Sequence, residues 1–292
     1  MVRCARAGAL AIALWTGLAV AAGAAEQRIE IPSLASARAA GAPAVLDAAL
    51  FRPDGRGPFP AIVALHGCAG LMQRSGALDG RFADWGARLA GLGYVVLFPE
   101  SFTPSGVREI CTRADRDVGP TRGRPEDAYA ALAWLAAQPD VRADAIGVIG
   151  WSNGGSTVLS VIDAARALPP DAGATFRAAA ALYPGCRTAL RARAWAARVP
   201  LAIFIGGADD WTPAAPCSEL AAAARRRGQN VEITLYPGAH HDFDHPGMRL
   251  HLRRGLAFTA NGAGTAMLGT DPAARADVLL RLPAFLAATL GR

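Results

Sequence analysis

The sequence predicts an α/β fold in which a mostly parallel central sheet is covered by helices on both faces. Two observations favour this class of fold. Short apolar runs, typical of buried strands, alternate along the chain with longer segments whose apolar residues recur at helical spacing. Glycine-rich segments with polar residues follow several of these runs, as they do at the carboxyl ends of parallel strands. The 292 residues suffice for one such domain with a full core, which we expect over residues 25–292.

The amino terminus has the pattern of a secretory signal peptide. Two arginines precede an apolar stretch over residues 7–22, and Ala22-Gly23-Ala24 fits the small-x-small pattern of a cleavage site. We therefore expect a signal peptide over residues 1–24 and a periplasmic or secreted protein without stable membrane association. A retained membrane anchor is the alternative, because an uncleaved stretch of this length could nearly span a bilayer.

The net charge of +6 does not indicate a nucleic-acid partner. All 30 basic residues are arginine, and they are scattered among alanines rather than gathered in a run. Neither a basic run nor an aromatic platform is present in the sequence, so we expect no nucleic-acid binding.

The first half of the predicted domain begins with two weak strand patterns, which we expect at the antiparallel edge of the sheet. Apolar strands and amphipathic helices then alternate. Residues 99–123, rich in Pro, Gly, Thr and Arg, have no sustained period and are predicted to form a long loop that lines the site. The predicted strands are 28–31, 45–51, 61–65, 94–98 and 146–149, and the predicted helices are 77–92 and 125–138.

The second half continues the alternation after a helix that begins at Asn153. A long helix closes the chain, and the region between the last predicted strand and Gly269 is expected to be irregular. The predicted strands are 177–183, 201–205 and 231–236, and the predicted helices are 216–228 and 272–290.

Ser152 lies at the centre of a Gly-x-Ser-x-Gly turn between a predicted strand and a predicted helix. Glycine is needed at Gly150 and Gly154 because a Cβ at either position would clash where the two backbones nearly touch. The pentapeptide alone is a weak pattern, but the strand-turn-helix context is that of a nucleophile elbow, which exposes a serine hydroxyl at its apex. The alternative interpretation is a glycine turn with a solvated serine, and it predicts no acid and no base at the right places later in the sequence.

Two later strand ends carry the acid and the base that a serine nucleophile needs. A serine hydroxyl is a poor nucleophile at neutral pH, so a base must take its proton and an acid must orient that base. Asp209 and Asp210 follow the strand 201–205, and His240 and His241, two of only five histidines, follow the next strand. The order Ser, Asp, His along the chain is the order typical of this architecture.

A small-residue loop after the strand 61–65 is expected to complete the site. The sequence there is His66-Gly67-Cys68-Ala69-Gly70, at the position where such a fold places its second oxyanion donor. We expect the backbone N–H groups of Cys68 and Asn153 to hold the developing oxyanion.

Three stretches resemble the motif blocks of the dienelactone hydrolase family within the α/β-hydrolases. They are the glycine turn around Ser152, Gly-Gly-Ala-Asp-Asp-Trp-Thr-Pro over residues 206–213, and Tyr-Pro-Gly-Ala-His-His-Asp-Phe over residues 236–243. The resemblance covers most of the mature chain and implies an α/β-hydrolase fold, with Asp209 rather than Asp210 as the acid and His241 rather than His240 as the base. The namesake enzymes use a cysteine nucleophile, so Ser152 implies a serine esterase branch.

The resulting hypothesis is a serine hydrolase that cleaves a small ester or lactone through an acyl-enzyme, without cofactor or metal. A peptidase of the same fold and a catalytically silent binding protein are the alternatives, and the natural substrate and oligomeric state stay open. A metal site over residues 240–245 is disfavoured, because the two-histidine helical spacing of a catalytic zinc site is missing. The expected role of His240, Asp242 and Asp244 is a solvated loop around the base.

Four cysteines follow the predicted signal peptide, and an oxidising compartment would pair them. Three connectivities are possible. We favour Cys186 with Cys217, because both follow sequential strands that end on the same side of the sheet, which leaves Cys68 with Cys111 to tie the 99–123 loop to the 66–70 loop. Four free thiols are the alternative, since buried cysteines also serve as small apolar residues.

Overall fold

The structure of the protein is a computed structural model that describes residues 1, 25–42, 44–103, 106–115 and 118–291. Apart from Met1, the predicted signal peptide lies outside the described residues. Among the helices described, none has both the length and the apolar composition needed to cross a bilayer.

In the described part of the chain, eight strands form the central sheet. They are β1 (Gln27–Pro32), β2 (Val45–Phe51), β3 (Phe59–Leu65), β4 (Val95–Pro99), β5 (Val141–Trp151), β6 (Ala178–Leu182), β7 (Leu201–Gly206) and β8 (Val231–Tyr236). Their order across the sheet is β1-β2-β4-β3-β5-β6-β7-β8. All pairs from β4 to β8 are parallel, and β2 pairs antiparallel with both β1 and β4. The predicted α/β-hydrolase fold, with its antiparallel edge, is thereby confirmed.

Seven helices accompany the sheet within the described residues. They are α1 (Ala35–Ala39), α2 (Gly80–Gly91), α3 (Arg124–Ala136), α4 (Asn153–Val161), α5 (Arg187–Arg191), α6 (Ala214–Arg226) and α7 (Pro272–Leu290). Helix α2 begins three residues later than predicted, because the Asp79 carboxylate caps it by accepting the Arg81 backbone N–H at 3.0 Å. Asp271 caps α7 in the same way, by accepting the Ala274 N–H.

The helices cover both faces of the sheet, as two glycines of β5 demonstrate. A Cβ built on Gly147 would meet Leu290 of α7 at 3.2 Å, whereas a Cβ on Gly150 would collide with the Gly154 carbonyl of α4. Residues 147 and 150 differ in parity, so their side-chain positions point to opposite faces of the strand. Helices α7 and α4 therefore lie on opposite faces.

The structure differs from the sequence-based prediction in three places. The region expected to be irregular contains a second, two-stranded antiparallel sheet of β9 (His251–Arg254) and β10 (Thr265–Leu268). Its first strand reads His-Leu-Arg-Arg and is mostly exposed, so it lacks the alternation that reveals a strand in a sequence. Helices α1 and α5 have five residues each, too few to establish a helical period.

Candidate active site

Ser152 lies at the tight turn between β5 and α4. Its backbone has φ 53° and ψ −114°, a conformation that costs a non-glycine residue about 1–3 kcal/mol. The turn packs so closely that a Cβ on Gly154 would collide with the Leu65 carbonyl oxygen of β3. The Ser152 N–H donates to the Leu182 carbonyl of β6 at 2.9 Å. Two glycines and two neighbouring strands thus fix the position of the hydroxyl.

A chain of two hydrogen bonds joins Ser152 to His241 and His241 to Asp209. The distance from His241 Nε2 to Ser152 Oγ is 2.9 Å, and the distance from His241 Nδ1 to Asp209 Oδ2 is 2.8 Å. The carboxylate can only accept, so Nδ1 carries the proton and Nε2 is free to accept from the serine hydroxyl. The structure therefore brings the three side chains into an arrangement in which Ser152 can lose its proton to His241.

The Asp209 carboxylate is held by groups that the sequence did not single out. Asp209 Oδ1 accepts the backbone N–H groups of Trp211 and Thr212 at 2.9 and 2.8 Å, and the Thr212 hydroxyl lies 3.0 Å from Oδ2. Asp210 points elsewhere, since its Oδ1 accepts the Met267 N–H of β10 at 2.9 Å. The adjacent aspartates thus have separate partners, and only Asp209 reaches the imidazole.

Burial and charge act in opposite directions on the pKa of His241. Burial lowers this pKa, whereas the charge and hydrogen bond of the adjacent Asp209 carboxylate and the charge of Asp242 raise it, and together they exceed the effect of burial. The pKa of His241 therefore lies above its usual value of 6.5. The ring is also packed edge-on against Tyr183, at 4.6 Å between centroids, and tilted against Trp211 at 4.7 Å.

The 66–70 loop lies directly beside Ser152. A Cβ on Gly67 would lie 3.7 Å from the Ser152 Cβ, and Cys68 lines the same cavities as Ser152. Within the described residues, neither the Cys68 N–H nor the Asn153 N–H donates to a protein acceptor. Both amides are therefore available to an oxygen bound next to the hydroxyl.

We call the Cys68 and Asn153 N–H groups the amide pair. Arg124, a buried residue that the sequence did not single out, bonds to both of the segments that carry them. Its Nη1 donates to Asn153 Oδ1 at 2.5 Å and its Nη2 donates to the His66 carbonyl at 2.7 Å. Burial lowers the pKa of Arg124 to about 10, against the opposing effects of Asp127 and Glu100. The guanidinium stays charged at neutral pH, so these hydrogen bonds are charge-assisted.

The structure contains the two disulfides that the sequence favoured, Cys68–Cys111 and Cys186–Cys217. The first, called the loop disulfide below, joins the 66–70 loop to the 106–115 segment, where the Ile110 N–H also donates to the Cys68 carbonyl at 2.8 Å. The second joins the segment after β6 to α6. Both therefore constrain loops at the carboxyl edge of the sheet.

Asp242 is not part of a solvated loop, contrary to the sequence-based expectation. Its side chain is buried, and its Oδ1 lies 2.8 Å from Arg81 Nη1 on α2. Burial raises the pKa of Asp242, but the guanidinium of Arg81 and the neighbouring His241 lower it below its usual 3.8. The residue after His241 is therefore held in an ion pair with a side chain more than 150 residues earlier in the sequence.

Asp244 departs still further from that expectation, because it is fully buried. Its Oδ2 accepts the indole N–H groups of Trp85 at 2.7 Å and Trp151 at 2.8 Å, and its Oδ1 accepts the Tyr183 hydroxyl at 2.6 Å. Burial raises the pKa of Tyr183 well above its usual value, which keeps the phenol a donor. We call this group, with Arg81, the buried network.

The side chains of the 240–245 run thus have different partners. His241 faces Ser152, Asp242 pairs with Arg81, and Asp244 lies in the buried network, while His240 is half-buried. Among the described residues, no three His, Cys, Asp or Glu side chains are grouped so that they could hold a metal ion.

The fold and this site define a hydrolase of the α/β-hydrolase class, and comparison with known families makes the assignment narrower. The family model described as the dienelactone hydrolase family matches residues 46–290. The chain therefore belongs to the dienelactone hydrolase family, as its motifs predicted. No curated protein matches the sequence.

Solved structures share the fold at low sequence identity. A candidate dienelactone hydrolase from Klebsiella pneumoniae subsp. pneumoniae matches with a TM-score of 0.62 and 19% identity, over 90% of this chain and 99% of that one. Thermogutta terrifontis esterase 2, in a form phosphorylated by paraoxon, has a TM-score of 0.59 and 19% identity, over 83% of this chain and 88% of its own.

A Pyrococcus horikoshii acylaminoacyl peptidase also matches, with a TM-score of 0.62 and 14% identity over 92% of this chain. The match spans only 42% of the peptidase. At these identities the likeness establishes the fold and not the substrate.

Proposed function

We propose that the protein is an exported serine hydrolase that cleaves a small ester or lactone through an acyl-enzyme. The observation that carries this proposal is the hydrogen-bond chain Ser152–His241–Asp209, with distances of 2.9 and 2.8 Å. A serine becomes nucleophilic when a positioned base takes its proton, and the carboxylate keeps that base in the required tautomer.

In the proposed reaction, His241 Nε2 takes the proton of Ser152 as Oγ attacks the ester carbonyl carbon. The backbone N–H groups of Cys68 and Asn153 stabilise the oxyanion, each by about 3 kcal/mol. The tetrahedral intermediate collapses when His241 returns the proton to the leaving alkoxide oxygen. Water then attacks the acyl-enzyme, again with His241 as the base, and releases the acid. Asp209 stays ionised and stabilises the imidazolium that forms in each step.

The proposed location is the periplasm or the exterior of the cell. Two disulfides support an oxidising compartment, and the amino-terminal pattern supports export by a signal peptide over residues 1–24. The mature chain is then a single domain over residues 25–292, acting on a small-molecule substrate without nucleic acid or a cofactor.

The test is covalent labelling and turnover of activated esters by the mature protein. A fluorophosphonate should label Ser152, and Ser152→Ala should lower the kcat for p-nitrophenyl acetate by at least about a thousandfold. His241→Ala should cause a comparable loss, whereas the matched control His240→Ala should retain most of the activity.

Three results would contradict the proposal. Ser152→Ala with near wild-type turnover would exclude Ser152 as the nucleophile. Faster cleavage of aminoacyl p-nitroanilides than of the esters would favour the peptidase of the same fold. Absence of both labelling and turnover in the folded protein would favour the silent binding protein.

A further inference from the structure

Two cavities of very different size meet at Ser152. The larger has a volume of about 460 Å³ and reaches from Ser152 and Asn153 towards Leu159 and Trp195. The smaller has a volume of about 40 Å³ and is lined by His241 together with Arg81 and Arg253. Cys68, Ser152 and Trp211 line both, so the nucleophile stands at the boundary between them.

The base distinguishes the two sides chemically. When a serine attacks an ester, the tetrahedral carbon carries the serine oxygen, the oxyanion, the acyl substituent and the leaving oxygen. The base must hydrogen-bond the leaving oxygen in order to protonate it, so the alcohol part of the ester lies on the side of the base. His241 lines the small cavity and not the large one. The acyl substituent must therefore extend away from His241, into the large cavity.

We propose that the substrate is an ester of a bulky, apolar acid with a small alcohol, the acid part filling the large cavity and the alcohol part the small one. This inference rests on the proposed serine-hydrolase function and specifies its substrate class. A water molecule needs about 10 to 15 Å³ in such a cavity, so about 40 Å³ accommodates about three non-hydrogen atoms, as in a methoxy or ethoxy group, and a larger alcohol part would extend beyond the small cavity. A volume of about 460 Å³ lies within the range of sites for whole small molecules.

The wall of the large cavity indicates an uncharged, apolar acyl group. Its lining includes the buried Leu159 and Trp195, together with Pro213, Pro216 and the exposed Phe258. The charged side chains that line it within the described residues are Asp163 and Arg187, of opposite sign. Asp163 Oδ1 already accepts the N–H groups of Ala165 and Ala196, and Arg187 is exposed.

Two isomeric esters test the assignment directly. Methyl phenylacetate carries its ring on the acid, and benzyl acetate carries it on the alcohol. The two esters have the same composition, and their alcohols, methanol and benzyl alcohol, have nearly the same acidity. Each kcat/KM is divided by the rate of alkaline hydrolysis of that ester, which removes intrinsic reactivity. The corrected kcat/KM should be at least about tenfold higher for methyl phenylacetate, since misfitting apolar groups cost factors of this size or more.

Substitutions on each side give opposite expectations. Ala192 is exposed on the wall of the large cavity, so Ala192→Trp should lower kcat/KM for methyl phenylacetate far more than kcat/KM for methyl acetate. Arg253 lines the small cavity and lies 5.6 Å from the Trp211 ring, so Arg253→Ala should open that cavity and raise the rate for benzyl acetate relative to its isomer.

Equal or faster hydrolysis of benzyl acetate by the wild type would overturn the assignment and leave the proposed serine hydrolase standing. An Ala192→Trp variant that slows both isomers equally would also overturn it. If neither isomer is hydrolysed, the assignment is overturned as well, and fluorophosphonate labelling of Ser152 then tells whether the proposed function fails with it.

Discussion

Asp244 offers the most quantitative test of the structure, because three uncharged donors share its carboxylate. Replacing it by alanine removes the acceptor of the Trp85 and Trp151 indoles and of the Tyr183 hydroxyl. Each buried donor left without a partner costs about 1–3 kcal/mol, so Asp244→Ala should lower the free energy of unfolding by at least about 3 kcal/mol.

Asp244→Asn should cause a smaller loss. The amide oxygen can still accept both indoles, but the amide nitrogen cannot accept the Tyr183 hydroxyl, which already accepts from Arg81 at 2.8 Å. The Tyr183 hydroxyl is left without an acceptor, and the two indoles donate to a neutral instead of a charged oxygen. We therefore expect the free energy of unfolding to fall by about 1–3 kcal/mol. Asp144→Ala is the control, because that carboxylate is 79% exposed and lies 3.6 Å from Arg142, a pair worth at most about 1 kcal/mol.

The assay is equilibrium unfolding in urea of the oxidised protein, followed by tryptophan fluorescence and by far-ultraviolet circular dichroism. The two signals should give the same transition, with an unchanged dependence on urea concentration. If the free energy of unfolding of Asp244→Ala is within about 1 kcal/mol of the wild-type value, the hydrogen bonds of the buried network are refuted, since the loss of one donor's partner alone should cost that much.

Four further predictions concern the site. Asp209→Asn should lower kcat by about ten-thousandfold by favouring the wrong imidazole tautomer, whereas Asp210→Asn should cost far less, and equal losses would contradict the distinction. Since His241 must be neutral to accept a proton and its pKa is raised, kcat/KM should fall as the pH drops through a limb above 6.5. Asp242→Asn removes a carboxylate that raises this pKa, so it should move the limb to lower pH, and an unmoved limb would contradict that effect. Reducing the loop disulfide should lower kcat before circular dichroism changes, and simultaneous loss of both would contradict a local role.

The fold was predictable because its signals are local. Most strands of the parallel sheet are apolar runs that can be recognised without their neighbours, and a Cβ at position 150 would collide with the Gly154 carbonyl only four residues away. The need for glycine at position 154 depends on a distant contact, with the Leu65 carbonyl of β3, but it belongs to the same recognisable pentapeptide. The strands 251–254 and 265–268 were missed because four residues are too few to establish an alternation, and the first of the two strands is mostly exposed.

The sequence predicted that Ser152, Asp209 and His241 lie together, and the structure joins them by hydrogen bonds, but their surroundings could not be predicted. Asp244 is 159 residues from Trp85 and 93 from Trp151, so nothing near it in the sequence reveals that it is buried. A short polar run beside a histidine resembles a solvated loop until its distant donors are known. Thr212 is the exception, since it follows the acid by three residues and its contact with Asp209 is local.

The amide pair beside Ser152 shows why those distant contacts matter for chemistry. The Cys68 N–H belongs to the loop after β3 and the Asn153 N–H to the start of α4, so their separation is not set by any single element. Stabilising an oxyanion requires both donors at about 2.7–3.1 Å from one point. Arg124 bonds to both sides at once, through the His66 carbonyl and the Asn153 side chain, and the loop disulfide restrains the loop from its other edge. A buried arginine and a covalent bond thus add to the restraint that the pairing of β3 with β5, in which Leu65 lies opposite Gly150, places on this distance.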